Sequence, residues 1–277
     1  MRASQQHHIP EWDTSSHNEF YAYYEQQSMS PETIQRFRAT RDTLLCIRSQ
    51  SGELEPCDVL DVGCGAGAQG ALWSESGHRY VGIDINEPLI MLARKRANEL
   101  HLQVHYEVAS ATQLPLPDDS VDICIMPELL EHVPPWEDCI NEASRVLRSG
   151  GLLYISTSSM LCPFQQEFNL PLYGWYPKRL KRYYELRAVT DKPELANHAK
   201  YPAVNWFSFY SLKDYLAPKG FDCLDRFDLI AVTQRSLPAR IAISLVRLLP
   251  PLRFLAHMAT PYTMVIARKH TAKCLTT

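Results

Sequence analysis

Across residues 58–157 the chain switches five times between two hydrophobic rhythms, and this alternation limits the fold more than any other feature. DVLDV, YVGID, VHYEVA, VDICIM and LLYIST are short, near-continuous apolar runs. Between them lie stretches with helical spacing: Ala68, Ala71 and Leu72, then Leu89, Ile90, Leu92, Ala93 and Ala97, then Trp136 to Leu147 before Ser149-Gly150-Gly151. Strands apolar on both faces need cover on both faces, which predicts a parallel sheet between helices. Right-handed crossovers make such a sheet doubly wound. Its ligands bind beyond the carboxyl ends of the strands. The expected fold class is therefore α/β.

The flanks divide the chain into four expected parts. Residues 1–55 form a helical and aromatic cap, with Phe20, Tyr21, Tyr23 and Tyr24 clustered. There Ser30 and Pro31 start a helix through Ile34, Phe37, Leu44, Leu45 and Ile47. Residues 56–160 hold the core, and 161–206, rich in proline and aromatics, break the rhythm as a lid insertion. Residues 207–270 complete the core: a helix and turn in SLKDYLAPKGF, a strand around CLDRFDLIAV and a closing strand YTMVIARK. Residues 236–260 intervene as an apolar-basic helical insertion broken at Pro250-Pro251. Hydrophobic residues make up 45% of the chain, which excludes a disordered or low-complexity protein. Eight scattered cysteines without a CxxC pair, and an N-terminus lacking an apolar signal core, fit a reducing cytoplasm.

The glycine loop follows the first strand. Gly65-x-Gly67-x-x-Gly70 is a literal dinucleotide pattern, Gly63-x-Gly65-x-x-Ala68 is its accepted variant, and Asp84 ends the second strand where an acid binds a ribose diol. The bare pattern fits a nicotinamide oxidoreductase. Asp61 argues against one, because a pyrophosphate on this loop would face its carboxylate, at a cost of roughly 1–3 kcal/mol. A ligand with a cationic head and no phosphate, such as S-adenosylmethionine, would be attracted instead. Asp84 also reads as an N-cap for the helix opening at Glu87-Pro88.

At these residues the chain resembles the class I S-adenosylmethionine-dependent methyltransferases. VLDVGCGAG is similar to their first motif, GIDIN to their second-strand acid, VASATQLPLPDDSVDICIM to their adenine-side segment and fourth strand, and ASRVLRSGGLLYIS to the approach to their fifth. The resemblance implies a Rossmann-like methyltransferase sheet with an antiparallel last strand. It also implies a cofactor site of Asp61, Gly63, Cys64, Gly65, Asp84, Ile85, Ser110, Ala111 and Met126. Ser110-Ala111 departs from the family's frequent Asp-Ala pair and offers the adenine amino group a weaker acceptor.

After the fourth strand, Glu128-Leu129-Leu130-Glu131-His132-Val133-Pro134 resembles the ubiquinone-pathway O-methyltransferases, as does Ser156-Thr157. That implies methyl transfer to a hydroxyl oxygen, with Glu128, Glu131 and His132 as ligands of a divalent metal. Alternatively Glu131 and His132 do acid-base work, His132 being a general base of near-neutral pKa, or they only order the loop.

The insertion carries Trp175, Tyr176, Lys178, Arg179, Lys181, Arg182, Tyr183 and Tyr184. It reads as a lid over the acceptor, as an interfacial patch, or as a solvated or dimer contact. The formal charge of −3 is split: seven basic and no acidic residues follow Leu229, leaving −10 on the rest. The acidic body makes nucleic acid an unfavourable partner. Arg240, Arg247 and Arg253 among leucines suit an amphipathic helix on a membrane surface or against another subunit. No run of about 20 apolar residues occurs, so a membrane span is not expected. The acceptor expected is a small or lipid-like molecule. A catalytically silent binding protein of the same fold is the remaining alternative; oligomeric state is left open.

Overall fold

The computed structural model describes residues 21, 24–25, 28–52, 56–165, 167–196, 203–230 and 236–271. Phe20, Tyr23, Arg235 and Lys273 lie outside the described residues.

Seven strands form one sheet in the order β3-β2-β1-β4-β5-β7-β6. They are β1 Asp58–Val62, β2 Arg79–Asp84, β3 Val104–Val108, β4 Val121–Pro127, β5 Leu147–Ser158, β6 Phe221–Asp225 and β7 Tyr262–Lys269. The first five are parallel. β7 enters antiparallel between β5 and β6, with Leu152 opposite Arg268 and Ser158 opposite Tyr262. β1 sits between β2 and β4, so the winding reverses there and a crevice opens at the carboxyl ends of β1 and β4.

The helices are α1 Pro31–Gln50, α2 Gly70–Ser74, α3 Glu87–Glu99, α4 Trp136–Val146, α5 Lys178–Thr190, α6 Phe209–Leu216, α7 Arg226–Leu229, α8 Leu237–Leu248 and α9 Pro250–Met258. The expected start of α1 is met: Ser30 Oγ accepts from Thr33 N at 3.2 Å and Pro31 fills the first turn. Apolar residues fill both faces of the sheet. Leu60, Met126, Ile140, Val146, Leu212 and Val265 form one core cluster; Leu44, Val59, Trp73, Ile90, Ile123 and Ile125 form the other. Each such buried side chain stabilises by about 1.5–3 kcal/mol.

Three local expectations are corrected. Ser149-Gly150-Gly151 does not end a helix; α4 stops at Val146 and these residues run inside β5, where the register with β4 shifts. The strand read through CLDRFDLIAV ends at Asp225, whose carboxylate accepts from Phe227 N and Asp228 N and so caps α7. Asp84 is not the cap of α3: Asn86 is, accepting from Leu89 N at 3.1 Å.

Four of the five described arginines and lysines of the C-terminal region, all but Arg240, are tied to the body. Arg268 donates to Ile47 O at 3.1 Å, and Lys269 donates to Ser144 O, Leu147 O and Asp119. Arg247 donates to the carbonyls of Phe227, Asp228 and Ile230. Arg253 and His257 close on the fully buried Asp225, each at 2.8 Å. These charges satisfy carbonyls and acids of the body.

Candidate active site

The loop after β1 is built around one tyrosine and one acid. Gly67 lies at φ +75°, and a Cβ there would sit 2.6 Å from the Tyr106 hydroxyl, which donates to Gly67 O at 2.9 Å. Gly70 is pressed on the same hydroxyl. The last two glycines of the literal pattern thus make room for Tyr106. Gly65 lies at φ +52° and is buried: its N–H donates to Asp84 Oδ2 at 2.8 Å, and a Cβ there would meet the Tyr24 ring at 3.3 Å. Asp84 Oδ1 accepts from Asn86 N at 2.8 Å. The carboxylate therefore ties the glycine loop to the turn that opens α3, at the rim of the crevice.

Asp61 sits at the base. It is 1% exposed, accepts from the Tyr80 hydroxyl at 2.6 Å and from Gln69 Nε2 at 3.0 Å, both on Oδ2. Its other oxygen, Oδ1, is buried without a hydrogen-bond partner. Burial pushes its pKa up to about 7; the Tyr80 hydroxyl opposes this, and the charge of Asp84 adds to it. A buried carboxylate oxygen with no partner is costly unless a donor or cation meets it. That is the fit test for a ligand with an ammonium group, and Asp61 passes it. Two acids flanking the glycine loop, one in β1 and one at the end of β2, also oppose a pyrophosphate.

The other sequence-predicted contacts divide. Gly63, Cys64 and Ile85 lie on the two turns that frame the crevice. The Cys64 thiol packs back toward Gly82, and burial pushes its pKa well up, so only its backbone is offered. Ser110 and Ala111 follow β3; the Ser110 hydroxyl is 2.8 Å from Thr112 Oγ1 and accepts from Thr112 N. The Met126 side chain has no exposed surface and belongs to the core, so only its backbone is offered to the crevice.

The loop after β4 sends its three polar side chains to different places. Glu128 holds a left-handed backbone (φ +54°), donates its N–H to Ser156 O at 2.8 Å, and pairs through its carboxylate with Arg36 of α1. Glu131 turns inward and is 1% exposed. Burial raises its pKa to about 8, opposed by its own backbone and the nearby Thr157 hydroxyl. Neither Glu131 Oε2 nor Thr157 Oγ1 completes a hydrogen bond. His132 is half-buried, and desolvation lowers its pKa to about 4. Two expectations are thereby corrected. His132 does not have the near-neutral pKa expected of a general base. Glu128, Glu131 and His132 do not converge as metal ligands, and among the described residues no three His, Cys, Asp or Glu side chains could hold a metal ion. The chain is not fitted here for a divalent metal.

Several residues of the site were not singled out from the sequence. Arg36, Phe37 and Thr40 of α1 line a pocket with Gln69, Pro127, Tyr154 and Ser156, so α1 forms one wall of the crevice. Asn205 Nδ2 donates to Leu130 O and Val133 O, and Val204 N donates to Glu131 O at 2.8 Å, clamping the β4 loop from the end of the insertion. The insertion packs Phe168 and Tyr173 with Tyr176, Tyr184 and Trp206, and the buried Lys181 ammonium lies over the Tyr173 and Trp206 rings, 4.2 Å from the Trp206 centroid. Tyr80 carries a faint signal: it is a hydroxyl residue inside an otherwise apolar strand that pairs with Asp61's own strand.

A parallel sheet wound about an acid-bearing glycine loop, closed by an antiparallel strand, defines a class of nucleoside-cofactor enzymes. Comparison narrows it. A family model described as a methyltransferase domain matches residues 60–155. A ubiquinone biosynthesis O-methyltransferase of Idiomarina loihiensis is 32% identical over 178 residues, covering 59% of this chain and 70% of that protein. A methyltransferase of Mycobacterium sp. strain KMS, named as uncharacterized, is 42% identical over 107 residues, 38% of this chain and 40% of its own. Apart from the Idiomarina protein, the chain spans less than half the length of the first curated relatives it matches. Among solved structures, the PH0226 protein of Pyrococcus horikoshii OT3 superposes with a TM-score of 0.52 at 17% identity, over 90% of this chain and 98% of that one, and shares the fold. The chain belongs to the S-adenosylmethionine-dependent methyltransferases. The nicotinamide alternative falls with that membership.

Proposed function

We propose that the protein transfers a methyl group from S-adenosylmethionine to a hydroxyl oxygen of a small or lipid-like acceptor seated between α1 and the carboxyl ends of β4 and β5. The observation that carries this reading is Asp61 Oδ1, buried and unpartnered beneath the glycine loop. When bound, the cofactor supplies a methyl group already activated on a sulfonium. Asp61 would hold its ammonium, Asp84 its ribose hydroxyls, and the backbone of Gly63, Cys64 and Gly65 its methionine part, with Ile85, Ser110 and Ala111 along the adenine side. Asp84 keeps the loop in the receiving shape through Gly65 N–H.

The rest of the work is positioning and exclusion of water. Arg36, paired with Glu128, lines the pocket with Tyr154 and Ser156. His132, uncharged at neutral pH, would accept a hydrogen bond from the acceptor hydroxyl, and the buried Glu131 would hold the loop beneath it. The relatives named as ubiquinone biosynthesis O-methyltransferases support oxygen as the accepting atom.

The test is transfer of a labelled methyl group from the cofactor to a panel of phenols, alcohols, amines and thiols, with and without a chelator. Methyl ethers formed in both conditions are expected. Cofactor binding with no transfer to any acceptor would make the chain a silent binding protein, and products methylated only at nitrogen or sulfur would overturn the oxygen assignment.

A further inference from the structure

The helix pair α8–α9 is turned inside out. On a soluble surface helix the apolar stripe faces the protein and the charges face water. Here Arg247 of α8 and Arg253 and His257 of α9 point inward onto carbonyls of 227–230 and onto Asp225. The apolar stripe points outward. Leu237, Ile241, Leu245 and Leu248 follow one another at helical spacing along α8, with Leu237 67% and Leu248 75% exposed. Leu249, Leu252, Phe254 and Leu255 continue it around the elbow onto α9. No residue of α8 is buried. A contiguous exposed apolar patch of this kind marks an interaction site.

We propose that this elbow docks the protein on the surface of an anionic lipid bilayer. No single helix among the described residues is long and apolar enough to cross a membrane. The two helices together are, but they bend by 106° at Leu249, and the buried Asp225 network fixes α9 against the sheet. The pair therefore lies along an interface with its leucines in the acyl boundary. Charge decides between a bilayer and a second copy. In a two-fold dimer the same patch meets itself. This patch has exposed Arg240 beside it and no Asp or Glu after Asp228, so when the elbow meets itself it offers no acid of its own to pair with that charge. Anionic headgroups supply the missing charge.

The proposal does not depend on the methyl-transfer reading, because vesicle binding is measured without an acceptor. The test is flotation of the full chain with phosphatidylcholine vesicles, alone or with about 30% phosphatidylglycerol. The protein should float with the anionic vesicles. The double variant Leu245→Glu, Leu248→Glu should lose binding by at least about tenfold while keeping its melting temperature and cofactor affinity, since both side chains face solvent. Arg240→Glu should weaken binding to the anionic vesicles more than to the neutral ones. A wild-type chain that stays in the aqueous fraction overturns the proposal, as does equal flotation of the double variant. A solution dimer that the double variant dissolves, without vesicle binding, would instead make the elbow a contact between copies.

Discussion

The Tyr80 hydroxyl donates to Asp61 Oδ2 at 2.6 Å, and this bond, with the one from Gln69, holds a carboxylate in the floor of the crevice where water does not reach. Tyr80→Phe removes a bond to a buried acid without opening a large cavity. The expected cost is about 1–3 kcal/mol of stability, with a parallel loss of cofactor affinity at neutral pH because Asp61 then keeps its proton more firmly. Urea titration and calorimetry on the same variant measure both. Unchanged affinity would detach Asp61 from the cofactor.

The pH dependence of cofactor binding follows from the same carboxyl. In the free protein its pKa is raised to about 7, while a cationic ligand needs it ionised. Affinity should therefore fall by up to about tenfold per pH unit below 7, with one proton released on binding near pH 6. Stability of the free protein runs the other way. A raised folded pKa favours the protonated folded state, so this contribution is full below about pH 4 and is lost as pH rises through 7 for Asp61 and 8 for Glu131. Calorimetry in two buffers of different ionisation enthalpy detects the proton; its absence would show that Asp61 is already charged.

The sheet was legible because its signals are local. Continuous apolar strands, helical spacing and the Ser30-Pro31 start each declare themselves within a few residues. Asp61 and Asp84 were legible as candidate site residues because a charge at a strand tip has few structural excuses. What stayed hidden depends on partners far along the chain. Arg36 meets Glu128 from 92 residues away, and Asn205 reaches Leu130 from 75. The arginines of α8 and α9 were read as a basic surface because composition gives sign but not direction. Only packing shows that Arg247 and Arg253 face inward. A metal reading needs more than spacing: three ligand types within five residues must share a direction, whereas Glu128 pairs with Arg36 and Glu131 is buried.

Glu128 provides a test of strain against function. A non-glycine residue in the left-handed region costs roughly 1–2 kcal/mol, and its ion pair with Arg36 is largely exposed and so contributes at most about 1 kcal/mol. Glu128→Gly should leave stability level or slightly higher. It should also weaken acceptor turnover, because the outer wall of the pocket loses its anchor to α1. Thermal melts beside steady-state kinetics separate the two effects. A destabilised variant with normal turnover would make Glu128 a structural residue only.

Asp225 should govern the acid limit of the C-terminal helices. Burial alone would raise its pKa, but the bonds from His257 and Arg253 overcome it and hold the carboxyl at about 2. A depressed folded pKa contributes stability that is present above about pH 4 and lost as pH falls toward 2. Asp225→Asn leaves Arg253 with one acid instead of two and should cost about 3 kcal/mol. Its unfolding midpoint should be flat across the window where the wild type declines. Equal acid sensitivity in the two proteins would place the transition elsewhere.

Gly67 and Tyr106 form a packing pair that a double variant can resolve. A methyl group at Gly67 would lie 2.6 Å from the Tyr106 hydroxyl and 2.7 Å from Ala93 Cβ, at a φ of +75° that alanine resists. Gly67→Ala should therefore destabilise by about 2–4 kcal/mol, combining strain and overpacking. Tyr106→Phe removes the hydroxyl and with it the bond to Gly67 O. Combining the two changes should recover part of the loss, because the clash and the bond involve the same oxygen. The strain at φ and the contacts with Ala93 Cβ and Tyr106 Cζ, each at 2.7 Å, remain, so recovery should be incomplete. Strict additivity of the two costs in a double-mutant cycle would show that Tyr106 does not set the glycine requirement.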